Sequence, residues 1–255
     1  MLAEYLYDTR DLLRDSAGQF YSNTQIIRYI NGARTDIAKI TQCIRVLVPG
    51  SAPFGNQALS GEAVSGGALS GSQGSSNDGT SVLSTTPGQE FITFQSLNPF
   101  VKQLYGGAKG IIAVNNLAIS WGGWRPQLAY LPWQDLQAYA RSVSVLITSN
   151  PYFWSVLNDG ETGQMWIFPT GSSGWEMELD CNLVPAALYS DTDIELLPDP
   201  WRDGVKYYAA RRAYLASQRF GMAQEMKNEF YDKMGIDRFA VDPGKTEDYY
   251  FDNGF

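Results

Sequence analysis

An α+β fold is predicted for this chain, with N- and C-terminal helices forming a bundle that carries an inserted β-rich, sandwich-like domain. Three features of the sequence predict it. Apolar residues recur at helical spacing near both ends, strand-like runs fill residues 90–197, and a Gly/Ser-rich stretch separates the first helices from those strands. Because each pair of terminal helices is too small to bury its own apolar stripe, we expect the two pairs to pack together.

Two helices are predicted before residue 49. Apolar residues at helical spacing from Leu2 predict a short first helix that ends at the turn of residues 16–18. Ser22 and Gln25 have capping-box spacing, and the stripe behind them predicts a second helix that runs to Val48, where a Pro-Gly pair ends it. The stripe consists of Ile26, Ile30, Ala33, Ile37, Ile40 and Ile44, and its first five members are assigned to the bundle core.

The other end of the chain mirrors this arrangement. Asp199 is the predicted N-cap and Pro200 the first residue of a helix that runs to about Phe220, where Gly221 breaks it. A final helix with a stripe of methionines ends at Gly235. The inner face of the first of these helices is predicted to carry Trp201, Val205, Tyr208, Ala209, Ala213 and Ala216. Its assigned bundle-core residues are Val205, Tyr208 and Ala209.

Between the helices lie an arm and a β-domain. Residues 49–89 are dominated by Gly and Ser, and the tetrapeptide at 58–61 recurs at 68–71. We interpret this stretch as an extended arm that lies against a neighbouring subunit or a partner, and a flexible linker is the alternative. The predicted organisation is 1–48 for the first bundle helices, 49–89 for the arm, 90–198 for the inserted domain, 199–235 for the returning helices and 236–255 for an extended tail.

Strand patterns fill the inserted domain. Alternating and β-branched runs predict strands over 91–94, 110–121, 164–168 and 175–184, with glycines in the turns, and a short helix is predicted over 132–142.

Composition excludes several kinds of chemistry. The 255 residues include no histidine, which rules out Ser-His-Asp and Cys-His nucleophilic sites and His-based zinc sites, whereas carboxylate-only and lysine-based chemistry remain. The formal net charge of −8 opposes wrapping of a phosphate backbone, yet it suits a surface that DNA passes without sticking. Cys43 and Cys181 are expected to be free core thiols, with a disulfide as the alternative. With no signal-peptide pattern or membrane-length apolar run, a soluble protein is expected.

Two acidic runs are candidate sites for a cation or for a glycosidase pair. The first alternates along one face of a predicted strand and consists of Glu176, Glu178 and Asp180. A solvated outer strand face explains the same alternation and is the preferred interpretation. The second run lacks the glycine and the distant glutamate of a calcium loop and consists of Asp191, Asp193 and Glu195.

Two further patterns have ordinary structural explanations. Gly244-Lys245-Thr246 matches the end of a phosphate-binding loop, but Phe239 occupies the position of the required first glycine, so a polar turn is preferred. The tryptophans of the β region could stack on sugars, although core and interface packing is the commoner use of such side chains.

The last residues of the chain combine aromatic and acidic side chains. Residues 236–255 contain two basic and five acidic residues, for a net charge of −3. Burial of aromatic rings in a partner's groove returns about 1.5–3 kcal/mol each before ordering costs. We therefore predict a docking tail, with a tail folded back on its own domain as the alternative. Its aromatic residues are Phe239, Tyr249, Tyr250, Phe251 and Phe255.

Several segments carry a likeness to one family. They are 10–15 (RDLLRD), 21–22 (YS) and 26–38 (IIRYINGARTDIA), then 132–133 (PW), 151–154 (PYFW), 165–170 (MWIFPT) and 183–185 (LVP), and finally 200–216 (PWRDGVKYYAARRAYLA). In these segments the chain resembles the head-to-tail adaptor proteins of tailed bacteriophages, also called connector or neck proteins, of the podovirus-like type.

The resemblance implies a structural virion protein without enzymatic activity, cofactor or metal. It implies a homo-oligomeric ring, usually of twelve subunits, beneath the portal protein, which extends the DNA channel and offers an attachment surface to a tail or nozzle protein. By position, residues 236–255 would insert between portal subunits. The resemblance also implies synthesis in the host cytoplasm, a final place in the virion neck, no membrane contact, and passage of DNA without specific binding.

Two other functions stay open on sequence alone. One is a carboxylate-only glycoside hydrolase of a phage tail, which needs two facing carboxylates about 5–10 Å apart in a cleft. The other is a carbohydrate- or host-binding module, which works as a monomer or small oligomer.

Overall fold

The computed structural model describes residues 1–48, 83–120, 125–143, 150–160, 162–171 and 173–235. The fold is α+β, as the sequence predicts, with helices at both ends and strands between them. In chain order the elements are α1 (Leu2–Leu13), α2 (Asn23–Thr41), β1 (Arg45–Val48), β2 (Phe91–Thr93), α3 (Phe94–Leu104), β3 (Ala108–Ile119), β4 (Ala129–Tyr130), α4 (Trp133–Ser142), β5 (Phe153–Leu157), β6 (Gln164–Phe168), β7 (Met177–Pro185), α5 (Asp199–Arg202), α6 (Gly204–Ala216) and α7 (Phe220–Met234).

The described chain divides into two compact units. The helical unit combines Met1–Ile44, Gly107–Lys109 and the described part of Leu183–Gly244. The β unit combines the described parts of Arg45–Gly106 and Gly110–Asn182. Both ends of the chain thus contribute to one unit, because helices far apart in sequence share a core.

The core of the helical unit forms around α6, which packs against α1, α2 and α7. Three alanines of α6, Ala209, Ala210 and Ala213, are fully buried, and their small side chains let the neighbouring helices approach closely. Seven of the assigned core residues are buried at 5% exposure or less, namely Ile26, Ile30, Ala33, Ile37, Val205, Tyr208 and Ala209.

Ile40 does not belong to this core, contrary to the prediction, because its side chain is 44% exposed. The buried positions of α2 also include Arg34 and Ala38, which rotates the buried arc away from the predicted stripe. At about 100° per residue, Ile40 lies roughly 80° from the centre of that arc. It also lies in the last turn of the helix.

The second helix is shorter than predicted. Its start is correct, because Ser22 is the N-cap and forms the capping box with Gln25. Its end is wrong, because α2 stops at Thr41, and Gln42 adopts a left-handed conformation with φ 49°. The next residues leave the helix and pair antiparallel with β7, with Val48 opposite Leu179. Pairing with a distant strand outweighs the local helical pattern here.

The returning helix also departs from the prediction. Its N-cap is Pro198 rather than Asp199, and the helix divides at Asp203 into α5 and α6. It ends at Ala216, and the chain turns at Gln218, where φ is 59°, so Gly221 lies inside α7. Of the predicted inner face, Trp201 is half-buried and Ala216 is exposed. The final helix ends at Gly235 with φ 63°, as predicted.

Two sheets make up the β unit. One has the strand order β1-β7-β3, and the other has the order β2-β6-β5-β4. In the second sheet β4 and β5 are parallel, and the other pairs are antiparallel. One face of this sheet is apolar and buried, with Ile92, Trp154, Met165 and Ile167 all at 4% exposure or less.

Several elements of the β unit were not predicted. The helix α3 follows β2 directly, capped by the side chain of Thr93, which accepts the Ser96 N–H at 3.2 Å. Pro99 inside this helix and the strand-like run before it hide the helical pattern. The short strands β1, β4 and β5 also become apparent only from their pairing partners.

Both cysteines are free, as preferred from the sequence: Cys181 is fully buried and Cys43 half-buried. Among the residues that the structure describes, no helix combines the length and apolarity that a bilayer span requires.

Candidate assembly surface

Two turns lie side by side at one end of the helical unit. The first joins α1 to α2 and the second joins α6 to α7. The Tyr21 hydroxyl donates to Ser217 Oγ at 3.1 Å, and the Tyr214 hydroxyl donates to the Leu12 carbonyl at 3.1 Å. These bonds hold the two turns together, so their exposed side chains form one continuous end of the unit.

The carboxylate of Asp15 organises the first turn. It accepts backbone N–H groups from Gln19 at 2.7 Å, from Phe20 at 3.2 Å and from Tyr21 at 2.9 Å. Burial by itself raises the pKa of Asp15, but these donors, with the charge of Arg10, lower it below its usual value. The turn is therefore built around an ionised carboxylate.

Arg10 closes the same turn from α1. Its guanidinium donates to the Asp15 carbonyl at 2.9 Å and to Asn23 Oδ1 at 2.6 Å. A Cβ at Gly18 would lie 3.0 Å from Arg10 Nη1, and φ there is 67°, so glycine is favoured at this position. Side-chain bonds from Arg10 and Asp15 thus hold the turn in place.

Large apolar side chains nevertheless project from this end into solvent. Phe20 is 75% exposed and Phe220 is 67% exposed, with Leu215 at 40% and Met222 at 41%. Two exposed arginines, Arg14 and Arg219, accompany them. We call these six residues the tip surface.

The opposite end of the helical unit carries a second exposed surface. Asp191 accepts the Ala3 N–H at 2.7 Å, which sets the loop of residues 189–194 beside the start of α1. In that loop Tyr189 is 81% exposed and Ile194 is 59% exposed. Glu4, Asp199 and Asp203 line one cleft at this end. The base surface is defined as Glu4, Tyr189, Asp191, Ile194, Asp199 and Asp203.

A buried ion pair positions the loop that supplies part of the base surface. Arg34 donates to both oxygens of Glu195 at 2.8 Å, and the two side chains are 1% and 2% exposed. Arg34 also donates to the Ala186 carbonyl at 2.6 Å, and Asn31 bonds both backbone groups of Leu188. These bonds tie the segment before α5 to α2.

Five of the six acidic residues picked out in the sequence serve as structural anchors. On the strand, Asp180 pairs with Arg45 and Glu178 pairs with Arg125. In the loop, Asp191 and Asp193 accept backbone N–H groups, and Glu195 pairs with Arg34. Within the described residues, no group of acids, cysteines or histidines is arranged to hold a metal ion.

Three tryptophans of the β unit, Trp133, Trp154 and Trp166, pack against aromatic or apolar neighbours. Trp154 is buried and donates its Nε1–H to the Leu128 carbonyl at 3.1 Å. Trp166 stacks on Phe91 at 5.6 Å between ring centroids and contacts Trp133 at 4.8 Å. This aromatic cluster covers the second face of the four-stranded sheet.

The predicted docking tail, residues 236–255 with Phe239, Tyr249, Tyr250, Phe251 and Phe255, lies outside the described residues. The same holds for most of the predicted arm, 49–82, and for Gly244-Lys245-Thr246. The tip and base surfaces were missed from sequence. The sequence did contain one signal for these surfaces. Phe20 and Tyr189 are aromatic residues that stand among polar turn residues, outside any helical stripe.

A protein-family model described as SU10 adaptor protein matches residues 2–246, a range that includes every helix and strand described above. No curated protein matches the chain.

Proposed function

The chain belongs to the SU10 adaptor protein family, and from that membership we propose that it is the head-to-tail adaptor of a tailed bacteriophage, a structural protein of the virion neck. Its copies form a ring beneath the portal protein, extend the DNA channel and offer the surface to which the tail attaches. The observation that carries this proposal is the extent of the family match, residues 2–246, which leaves no part of the described chain for an unrelated module.

The exposed surfaces of the helical unit support a ring. A ring of identical subunits needs surfaces on each copy that bury apolar side chains against its neighbours. The tip and base surfaces offer such side chains at opposite ends of the unit, with Phe20 at 75% and Tyr189 at 81% exposure. Large apolar side chains held in water at these ends are available for such contacts.

The charge of the chain supports a DNA conduit. A net charge of −8 repels the phosphate backbone, so DNA can move along a surface of this composition without being retained. An adaptor between the portal and the tail needs this property, because the genome passes it on ejection.

The tail of the chain is proposed to attach the ring to the portal. Residues 236–255 combine five aromatic side chains with a net charge of −3. In this proposal the aromatic rings are buried between portal subunits, and the acidic residues keep the segment soluble before assembly.

Binding to the portal protein tests this proposal. The full chain, a truncated chain of residues 1–235 and a variant with serine at the five tail aromatics are mixed with portal, and the complexes are measured by native mass spectrometry and imaging. The full chain is expected to form a ring on the portal. Both altered chains are expected to lose portal binding while keeping the circular dichroism of the full chain.

A control variant keeps the aromatic residues and replaces Gly244, Lys245 and Thr246 with alanine; it is expected to bind like the full chain. Normal binding by the truncated chain would refute the tail assignment. Failure of the full chain to bind portal would refute the adaptor function itself.

A further inference from the structure

We propose that the tip surface of one copy packs on the base surface of a second copy, so that neighbouring copies contact each other head to tail through their helical units. This inference rests on the proposed function, because it names the contact between neighbours in the ring. Each copy would use both of its ends, one for each neighbour.

The tip surface has the properties of a preorganised anchor. Phe20 is 75% exposed, yet its backbone N–H is held by the Asp15 carboxylate at 3.2 Å. An ordered turn loses little conformational entropy on binding, and aromatic anchors dominate the energy of protein interfaces. Phe220, on the adjoining turn and 67% exposed, supplies a second ring. A chain that remained alone would gain nothing from holding both rings in water.

The base surface is built in the same way. The Asp193 carboxylate accepts the Tyr189 N–H at 2.6 Å and the Ser190 N–H at 2.8 Å. The Tyr189 ring, on this organised turn, is 81% exposed, and Ile194 beside it is 59% exposed. Both ends of the helical unit thus hold apolar side chains outward on turns that an aspartate organises.

The charges at the two ends select which surfaces meet. The tip exposes two arginines, Arg14 and Arg219, and the adjoining helix turns expose two acids, Asp11 and Glu225. The base surface exposes four acidic residues, Glu4, Asp191, Asp199 and Asp203. Three cations lie among them: the N-terminal amine pairs with Asp191, Arg202 with Asp199 and Lys206 with Asp8, so the base keeps a net negative charge. Two base surfaces therefore repel each other, whereas the tip, which exposes two arginines among its charges, can approach the acidic base; this favours a tip-to-base contact over a symmetric base-to-base dimer.

Because the two surfaces lie at opposite ends of the helical unit, a contact between them leaves both partners able to bind a further copy. The Asp8–Lys206 and Leu12–Tyr214 contacts show that α1 and α6 run in the same direction. The tip and base therefore lie at opposite ends of a helix pair about 18 Å long. A contact between two different surfaces leaves a free tip and a free base on every dimer, so addition continues until a ring closes.

Two variants of the full chain test this contact by sedimentation. The tip variant carries Phe20→Ser and Phe220→Ser, and the base variant carries Tyr189→Ser and Ile194→Ser. The wild-type chain is expected to self-associate with rising concentration. In each variant alone, the dissociation constant of that association should rise at least about tenfold. An equal mixture of the two variants should form one-to-one dimers and nothing larger. The intact tip surface of the base variant binds the intact base surface of the tip variant, and the two altered surfaces left on that dimer cannot bind a further copy.

The matched control is Tyr7→Ser. Tyr7 is 73% exposed in the middle of α1 and belongs to neither surface, so this variant should associate like the wild type. Circular dichroism and melting temperature identify any variant that fails to fold.

Three results would overturn the contact: a base variant that associates like wild type, a mixture that forms no dimer, or a wild-type chain that stays monomeric up to about 1 mM. None of these results concerns portal binding. The portal-binding experiment therefore tests the proposed function independently of this contact.

Discussion

At the scale of single residues, the helical unit depends on the buried pair of Arg34 and Glu195. The pair forms two bonds of 2.8 Å, and both side chains are almost fully excluded from water. Forming such a pair costs desolvation energy, which offsets much of the attraction between the two charges. Replacing both residues therefore changes the free energy of unfolding far less than removing one, which leaves the other charge buried without its partner. Specific geometry is its clearest contribution, because it fixes the segment that leads into the base surface.

Removal of one partner should therefore destabilise the protein strongly. Arg34→Ala leaves the Glu195 carboxylate buried without its partner and is expected to lower the free energy of unfolding by about 3–5 kcal/mol. Arg28→Ala, at an exposed position of the same helix, should change it by about 0.5 kcal/mol or less. Denaturant unfolding of the two variants checks this, and equal effects would show that the buried pair has no special role.

Asp15 makes the turn at the tip sensitive to acid. Its pKa is lower in the folded chain than in the unfolded chain, so the carboxylate stabilises the fold above the ordinary aspartate pKa of 3.8. This stabilisation is lost as the pH falls through the lowered pKa. The melting temperature of wild type should exceed that of Asp15→Asn at neutral pH, and the difference should shrink below about pH 4. A constant difference across that range would contradict the role of the charge.

At the scale of elements, the start of α2 is determined locally. Ser22 Oγ accepts the Gln25 N–H at 3.2 Å, and Gln25 Oε1 accepts the Ser22 N–H at 3.0 Å. Two unpaired backbone donors of the first turn are satisfied within four residues of sequence. The pattern could therefore be recognised without any tertiary information.

Loss of this cap should cost measurable stability. Ser22→Ala is expected to lower the free energy of unfolding by about 1 kcal/mol, because the Gln25 N–H loses its acceptor. Thr24→Ala, an exposed change inside the same turn, should be neutral or slightly stabilising, since alanine is the better helix former. Thermal unfolding of both variants distinguishes the cap from the general effect of alanine.

At the scale of the whole molecule, the net charge predicts how the chain behaves towards DNA. With a net charge of −8 the chain should not retain duplex DNA, even at about 50 mM salt, where electrostatic binding is strong. Electrophoretic mobility of a linear duplex checks this. A shift that weakens steeply with added salt would reveal a basic track on the assembled protein and would contradict a passive channel.

The assembly surfaces show how far sequence reasoning reached. It predicted that surplus aromatic surface is shared with other chains, but it assigned that surface to the tail alone. Phe20 and Phe220 are 200 positions apart in the sequence, and they share an end of the helical unit because α6 packs against α1, α2 and α7. A pattern of neighbouring residues does not contain that relation.

The sequence by itself determined the α+β class, the helices at both ends, the capping box at Ser22 and the stop at Gly235, because periodicity and caps act within a few residues. Only the tertiary structure decided where α2 gives way to β1, that Ile40 is exposed, and that the acidic residues of β7 and of the loop before α5 serve as ion-pair and turn anchors. Strand pairing, burial and ion pairs join residues far apart in the chain, and their energies outweigh local preference wherever the two conflict.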